Sequence, residues 1–263
     1  MKQIKKWKQI YNSIPNVEGT MVEINDDETL EDLKKYNLKI FQKKDGFRFS
    51  VDAVLISNFF KPIKKGIVVD FGTGTGIIPL LIQHNDKISK IYGLEIQETI
   101  FKMAKKSIEI NDLSERIEII HGDINAIEDF WGKDSVDHVI SNPPYFSRGK
   151  GTVNDSDLKK ISRHECDVDI DILVYKAKRI LKTCGTFTII YKTDRLQELV
   201  TILSKHLFEI HRIRFVHTKE GKKASLVMIE AVKERNRGMV VEPPLIITKT
   251  SGEYSEEYKN YYL

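Results

Sequence analysis

Cysteine is scarce in this chain, with only Cys166 and Cys184 in 263 residues. They lie 18 apart and form no metal-ligand spacing, which argues against a thiolate metal site or a secreted disulfide framework. A reduced, cytoplasmic setting is therefore expected. Long apolar runs are missing too: no stretch approaches the ~18 residues that a membrane span needs. Lysines open the N-terminus, but no apolar signal-peptide core follows them. There is no internal repeat and no low-complexity segment. Charge is nearly balanced, with a net of +4, which permits a nucleic-acid partner without requiring one. The remaining composition, 41% hydrophobic and 30% charged, is that of an ordinary globular protein able to bury a sizeable core.

The first 20 residues read as an appendage. Ile4, Trp7 and Tyr11 share one helical face, fringed by Lys5, Lys6 and Lys8, a fringe that is either solvated or in contact with RNA. Asp26-Asp27-Glu28 leads into an expected short helix ending near Tyr36. Leu38–Phe41 and Phe47–Phe49 flank Asp45-Gly46, a hairpin signal. Ser50 is placed to cap a helix over 51–60, with Pro62 just beyond. In the first turn of that helix, Asp52 suits the helix dipole.

The run Ile67-Val68-Val69-Asp70 then meets Phe71-Gly72-Thr73-Gly74-Thr75-Gly76 and an apolar helix. Strand, glycine turn and helix describe the first βα unit of a Rossmann-type sheet. A dinucleotide fingerprint would need a third glycine where Ile77 stands, so the spacing disfavours a nicotinamide cofactor. Glu95 closes a second expected strand, where a carboxylate can accept two hydrogen bonds from a ribose diol. Asp123 closes a third. Any one such acid can be a helix cap, but three successive strand-ending acids suggest a site.

Ser141-Asn142-Pro143-Pro144-Tyr145 closes the strand Val136–Ile140. Two prolines stiffen the backbone and remove two N–H donors, leaving a carboxamide, carbonyl acceptors and an aromatic ring. A plain Pro-Pro turn is the structural alternative. The flanking Asn and Tyr and the glycine motif upstream favour recognition of a planar group bearing an NH2. Asn142 Oδ1 and the Pro143 carbonyl would accept its two hydrogens while Tyr145 stacks on the ring. Such chemistry needs no metal and no dedicated general base. Beyond it, Arg148, Lys150, Arg163 and His164 lie in or after a polar loop. Arg212, Arg214, Lys219, Lys222 and Lys223 surround a basic turn in an expected antiparallel pair. These are candidate phosphate contacts.

The form Asp70-x-Gly72-x-Gly74-x-Gly76 resembles motif I of class I S-adenosylmethionine-dependent methyltransferases. With Asn142-Pro-Pro-Tyr145 it resembles those acting on exocyclic or amide nitrogens. Gly46–Leu55, Glu95-Ile-Gln97, Arg163-His-Glu165 and Val241–Leu245 are similar to the tRNA(Val) adenine-37 N6-methyltransferase family, over about residues 38–248. The resemblance implies an α/β Rossmann-like fold, with a mostly parallel seven-stranded sheet, a C-terminal antiparallel pair and an N-terminal helical or hairpin extension. Boundaries are expected at 1–37, 38–250 and 251–263. It implies S-adenosylmethionine as cofactor, held by Asp70, Phe71, Gly72, Thr73, Gly74 and Gly76. Phe49, Asp52, Glu95, Ile96, Asp123, Ile124 and Asn142 would complete that site, with Asp123 at the adenine amino group. The implied partner is a tRNA anticodon loop, and the chain could act as monomer or homodimer. Rivals are a release-factor glutamine methyltransferase, a DNA or rRNA amine methyltransferase, and a non-catalytic RNA-binding module.

Overall fold

The computed structural model describes residues 13–16, 18–45, 48–145, 169–235 and 238–262. Two antiparallel pairs come first: β1 (Ser13–Pro15) with β2 (Met21–Glu23), and β3 (Glu28–Leu33) with β4 (Leu38–Lys43). The stretch expected as a helix up to Tyr36 is thus mainly strand, closed by one 3-10 turn over Lys34–Tyr36. Asn37 then reverses the chain in the left-handed region (φ 51°), which Asn tolerates better than most residues. Acids disfavour strands, but here Glu28 stands opposite Lys43 and Asp32 opposite Lys39. Glu28 also pairs with Lys106 at 2.9 Å, away from solvent. The partner of β4 among the described residues is therefore β3, and this pair straddles the boundary expected at residue 37, while Gly46 and Phe47 of the expected hairpin lie outside the described residues. The basic N-terminal helical face lies outside the described residues.

The body alternates strand and helix. After α1 (Val51–Phe59) come β5 (Gly66–Phe71), α2 (Ile77–Ile82), β6 (Ile88–Glu95), α3 (Glu98–Glu109), β7 (Ile117–His121) and β8 (Val136–Ser141). Then follow α4 (Ile170–Ile180), β9 (Leu181–Lys192), α5 (Leu196–Lys205), β10 (Phe208–Lys219) and β11 (Leu226–Lys233). The last elements are β12 (Val240–Val241), β13 (Leu245–Thr248) and α6 (Glu256–Tyr262). No helix among the described residues is long and apolar enough to cross a membrane.

Strand order is β12–β10–β11–β9–β8–β5–β6–β7, with β13 also on β10. Strands β7, β6, β5, β8 and β9 run parallel, while β11 is antiparallel to both β9 and β10. The seven expected strands are present. Two short ones, β12 and β13, add along the outer edge of β10 on either side of Pro243-Pro244, a position where missing N–H donors are tolerated. Alternation on β5 divides the core. Val68 joins the cluster containing residues of α1 and α2, and Val69 and Phe71 the cluster containing residues of α4 and α5. Phe71 lies level with Leu94 on β6 and Ser141 on β8. Asp70, Glu95 and Asn142 consequently emerge at one edge, where the strand order reverses direction and a crevice is expected.

Candidate active site

The turn after β5 is tight because Gly72 and Gly74 adopt φ of +70° and +58°, which a side chain would oppose. A Cβ on Gly72 would meet nothing within 4 Å, so the backbone here borders open space. The N–H groups of Gly72 and Thr73 both donate to the Leu94 carbonyl at 3.0 Å, binding the turn to β6. Gly74 N–H donates to Glu95 Oε2 at 3.0 Å, and Gln97 N–H to Oε1 at 2.9 Å. Burial pushes the Glu95 carboxyl up, and these backbone donors oppose the rise. Thr73 fits beneath because β6 carries Gly93, where a Cβ would stand 2.7 Å from Thr73 Oγ1. A glycine inside a strand is the sequence signal for such close approach.

Asp70 is fully buried, and neither carboxylate oxygen has a hydrogen-bond partner among the described residues. The hydroxyls of Thr73 and Thr75 are likewise buried and unmatched. Burial pushes Asp70 up to about 7, with the Glu95 charge adding to the rise. The Thr73 hydroxyl, near but outside hydrogen-bond geometry, brings it only partly back. Unmet buried polar groups are rare and costly. A carboxylate and two hydroxyls left open beside a glycine turn fit a ligand with a cationic, amino-bearing end.

Asn142 stands at the end of β8. Its Nδ2 donates to Ser50 Oγ at 3.3 Å, and its Oδ1 accepts from the Tyr145 hydroxyl at 3.0 Å. Tyr145 packs edge-on against Tyr191, with centroids 5.9 Å apart and planes at 73°. Lys192 Nζ lies 5.7 Å from the Tyr145 ring centre, and the Arg195 guanidinium lies 5.0 Å from that of Tyr191. The Asp52 carboxyl stands beside the Tyr145 hydroxyl. Burial raises Asp52, while Tyr145 and Lys192 restrain the rise. The Tyr145 hydroxyl is held far above its ordinary range by burial and by the Asp52 charge. Tyr191, Lys192 and Arg195 were not singled out in the sequence, although Tyr191 and Lys192 close a strand just as Glu95 does and Arg195 follows it.

The other residues expected at the cofactor site have the following surroundings. Phe71 and Ile124 have buried core side chains, leaving only backbone to offer a ligand. Phe49 lines a groove with Leu33, Tyr36, Leu81 and Tyr261. Asp123 caps a 3-10 turn, its Oδ1 accepting from Asn125 N–H at 2.8 Å and Asn125 Nδ2 at 3.0 Å. Ile96 is exposed, and its carbonyl meets His121 Nε2 at 2.9 Å, while His121 stacks on Phe101. Gly76 opens α2 at φ +84°.

Among the basic candidates, Arg212 is a correction. It is 9% exposed and is held by Glu230, by Glu242 at 2.7 Å and by the Phe59 carbonyl at 2.8 Å. Arg214 is also engaged, donating to the Pro243 carbonyl and pairing with Glu257. Both guanidiniums find carboxylates that the local sequence does not show. Lys219, Lys222 and Lys223 are exposed on the turn between β10 and β11. Lys5, Lys6, Lys8, Arg148, Lys150, Arg163 and His164 lie outside the described residues.

Residues 50–219 match the methyltransferase small domain family. A tRNA1(Val) (adenine(37)-N6)-methyltransferase from Tolumonas auensis is 27% identical over 83% of this chain and 90% of its own. One of the same name from Bacteroides thetaiotaomicron is 28% identical over 85% of this chain and 94% of its own. Among solved structures, a "predicted O-methyltransferase" from Agrobacterium tumefaciens is similar in fold, with a TM-score of 0.64 and 20% identity. That alignment covers 81% of this chain and 95% of the other.

Proposed function

Because this chain belongs to the methyltransferase small domain family, we propose that it methylates the exocyclic N6 of an adenine in tRNA, with S-adenosylmethionine as methyl donor. The target in this reading is adenine 37 of the anticodon loop of tRNA(Val), as the names of the curated relatives suggest. The observation that carries it is the Asn142 carboxamide, fixed at both ends at the sheet edge that also carries the orphaned Asp70 carboxylate and the backbone-bound Glu95.

S-adenosylmethionine, when bound, supplies an electrophilic methyl group. Asp70 would meet its cationic end, Glu95 its ribose hydroxyls and Asp123 its adenine amino group. Asn142 Oδ1 and the Pro143 carbonyl accept the two hydrogens of the target amine, drawing its delocalised lone pair onto nitrogen. Pro143 and Pro144 keep that acceptor pair rigid, so positioning is the main catalytic contribution, on the order of 7–11 kcal/mol when geometry is well matched. Tyr145, braced by Tyr191, offers its free side to the extruded base, a stacking worth roughly 1–3 kcal/mol. A base in a loop is already single-stranded, which lowers the cost of flipping it. Lys192 is an exposed cation suited to an adjacent phosphate.

Labelled methyl transfer to unmodified tRNA, with a release factor in parallel and nucleoside mass spectrometry, tests the reading. N6-methyladenosine in the anticodon loop is expected with the wild type. Asn142→Ala should bind cofactor normally and lose most of the rate. Near-wild-type turnover by Asn142→Ala would refute the mechanism, and label on the release factor would refute the substrate.

A further inference from the structure

We propose that His121 is a positioning residue for the cofactor: through the Ile96–Gln97 peptide it aims the Glu95 carboxylate at the ribose hydroxyls. This rests on the reading of Glu95 above. A carboxylate grips a diol only if both of its oxygens face the diol and each keeps a lone pair for it. Glu95 therefore has to be held by groups that leave that edge open, and two backbone N–H donors hold it.

The first donor, Gly74 N–H to Oε2 at 3.0 Å, sits on a turn already bound to β6. The second, Gln97 N–H to Oε1 at 2.9 Å, lies beyond the end of β6. Backbone pairing with β7 reaches the Glu95 carbonyl, which accepts from Gly122 N–H at 3.0 Å. The next carbonyl, that of Ile96, accepts from a side chain, His121 Nε2 at 2.9 Å. His121 ends β7 level with Glu95. Its ring stacks on Phe101 of α3, with centroids 5.3 Å apart and planes at 25°. The Ile96 carbonyl and the Gln97 N–H belong to one peptide group. A planar peptide cannot turn its N–H without turning its C=O, so His121 at one end fixes what the other end offers Glu95. No member of this relay has a choice of role. A carbonyl only accepts and a peptide N–H only donates, so Nε2 carries the hydrogen. Bonds in series also polarise one another, which strengthens the hold on Oε1.

His121→Phe keeps a ring to stack on Phe101 and removes the donor, whereas His121→Gln keeps a donor and removes the ring. Binding is measured by calorimetric titration of S-adenosylhomocysteine and of its 2′,3′-dideoxy analogue, which lacks both ribose hydroxyls. The wild type should hold the parent compound at least about tenfold more tightly, as hydrogen bonds to a carboxylate require. His121→Phe should weaken the parent compound about two- to fivefold, one solvent-exposed hydrogen bond's worth of ordering, and leave the analogue unchanged. In turnover, KM for S-adenosylmethionine should rise by the same factor, with kcat at saturating cofactor and KM for tRNA unchanged. His121→Gln should restore the wild-type values. An equal loss for both ligands in His121→Phe, or no loss for either, would overturn the proposal, since a merely structural histidine does not act on the ribose hydroxyls alone. So would a Gln variant no better than the Phe variant, which would place the effect in the packing of the ring. A wild type that does not distinguish the two ligands overturns the reading of Glu95 itself, and is seen before any His121 variant is compared.

Discussion

At Asp70 the fold and the reaction place opposite demands on one carboxyl. Its pKa in the folded protein, about 7, lies above the ~3.9 of an unfolded chain. The folded state therefore holds the proton more tightly, and stability falls as pH rises from about 4 to 7. Above pH 7 the ionised group costs at most about 4 kcal/mol. Asp70→Asn removes that cost, so the free protein should become more stable at pH 8, with the gain shrinking as pH falls toward 4. Cofactor affinity should fall in the same variant, because an amide cannot attract a cationic ligand. Urea melts at pH 5, 6.5 and 8, paired with calorimetric titration of S-adenosylmethionine, check both halves. A variant less stable than wild type at pH 8 would show that Asp70 is satisfied within the protein itself.

Strand-ending acids and the glycine turn could be read from the sequence because each is local: a β-branched run, then a residue whose chemistry needs no distant partner. Strands β5, β6, β7 and β8 and the positions of Asp70, Glu95 and Asn142 followed from that. What could not be read depends on partners far along the chain. Glu28–Leu33 carries acids that favour a helix, but Lys106 lies 78 residues away in sequence, and the cross-strand lysines come only after the turn at Asn37. Arg212 looked like part of a basic turn because Glu230 and Glu242, 18 and 30 residues on, are not neighbours until β11 and β12 pair with β10. Ser50 looked like a cap for the same reason, but its hydroxyl makes no capping bond and meets Asn142. Arg212 offers the sharpest check on this kind of error. Its guanidinium also lies 4.2 Å from the Phe59 ring centre, so it binds α1 to the sheet. Arg212→Ala would leave Glu230 buried and unpaired, which costs about 3–5 kcal/mol. Denaturant unfolding should show that loss, while the salt dependence of tRNA binding should not change. The reverse outcome would return Arg212 to the RNA surface.

Strand register also decides where a large polyanion would lie. Leu226, the first residue of β11, stands opposite Lys192, the last of β9, and Thr193 donates to the carbonyls of Ser225 and Ala224. The turn carrying Lys219, Lys222 and Lys223 is therefore at the same edge of the sheet as Lys192 and Tyr145. Glu220 offsets only one of these three lysine charges, its carboxylate held in place by Thr250 N–H and hydroxyl at 2.9 Å each. With a net charge of only +4 over the chain, attraction to RNA depends on where the cations sit more than on how many there are. Each lysine that neutralises a phosphate adds about 0.7–0.9 to the slope of log K against log salt. Replacing Lys219, Lys222 and Lys223 together with alanine should reduce that slope by about 2 and raise KM for tRNA, leaving turnover at saturating tRNA unchanged. The three side chains are exposed, so thermal stability should hold. An unchanged slope would place the RNA path elsewhere on this edge, whereas a lost kcat at saturation would mean that the turn acts on the reacting base and not on the backbone that delivers it.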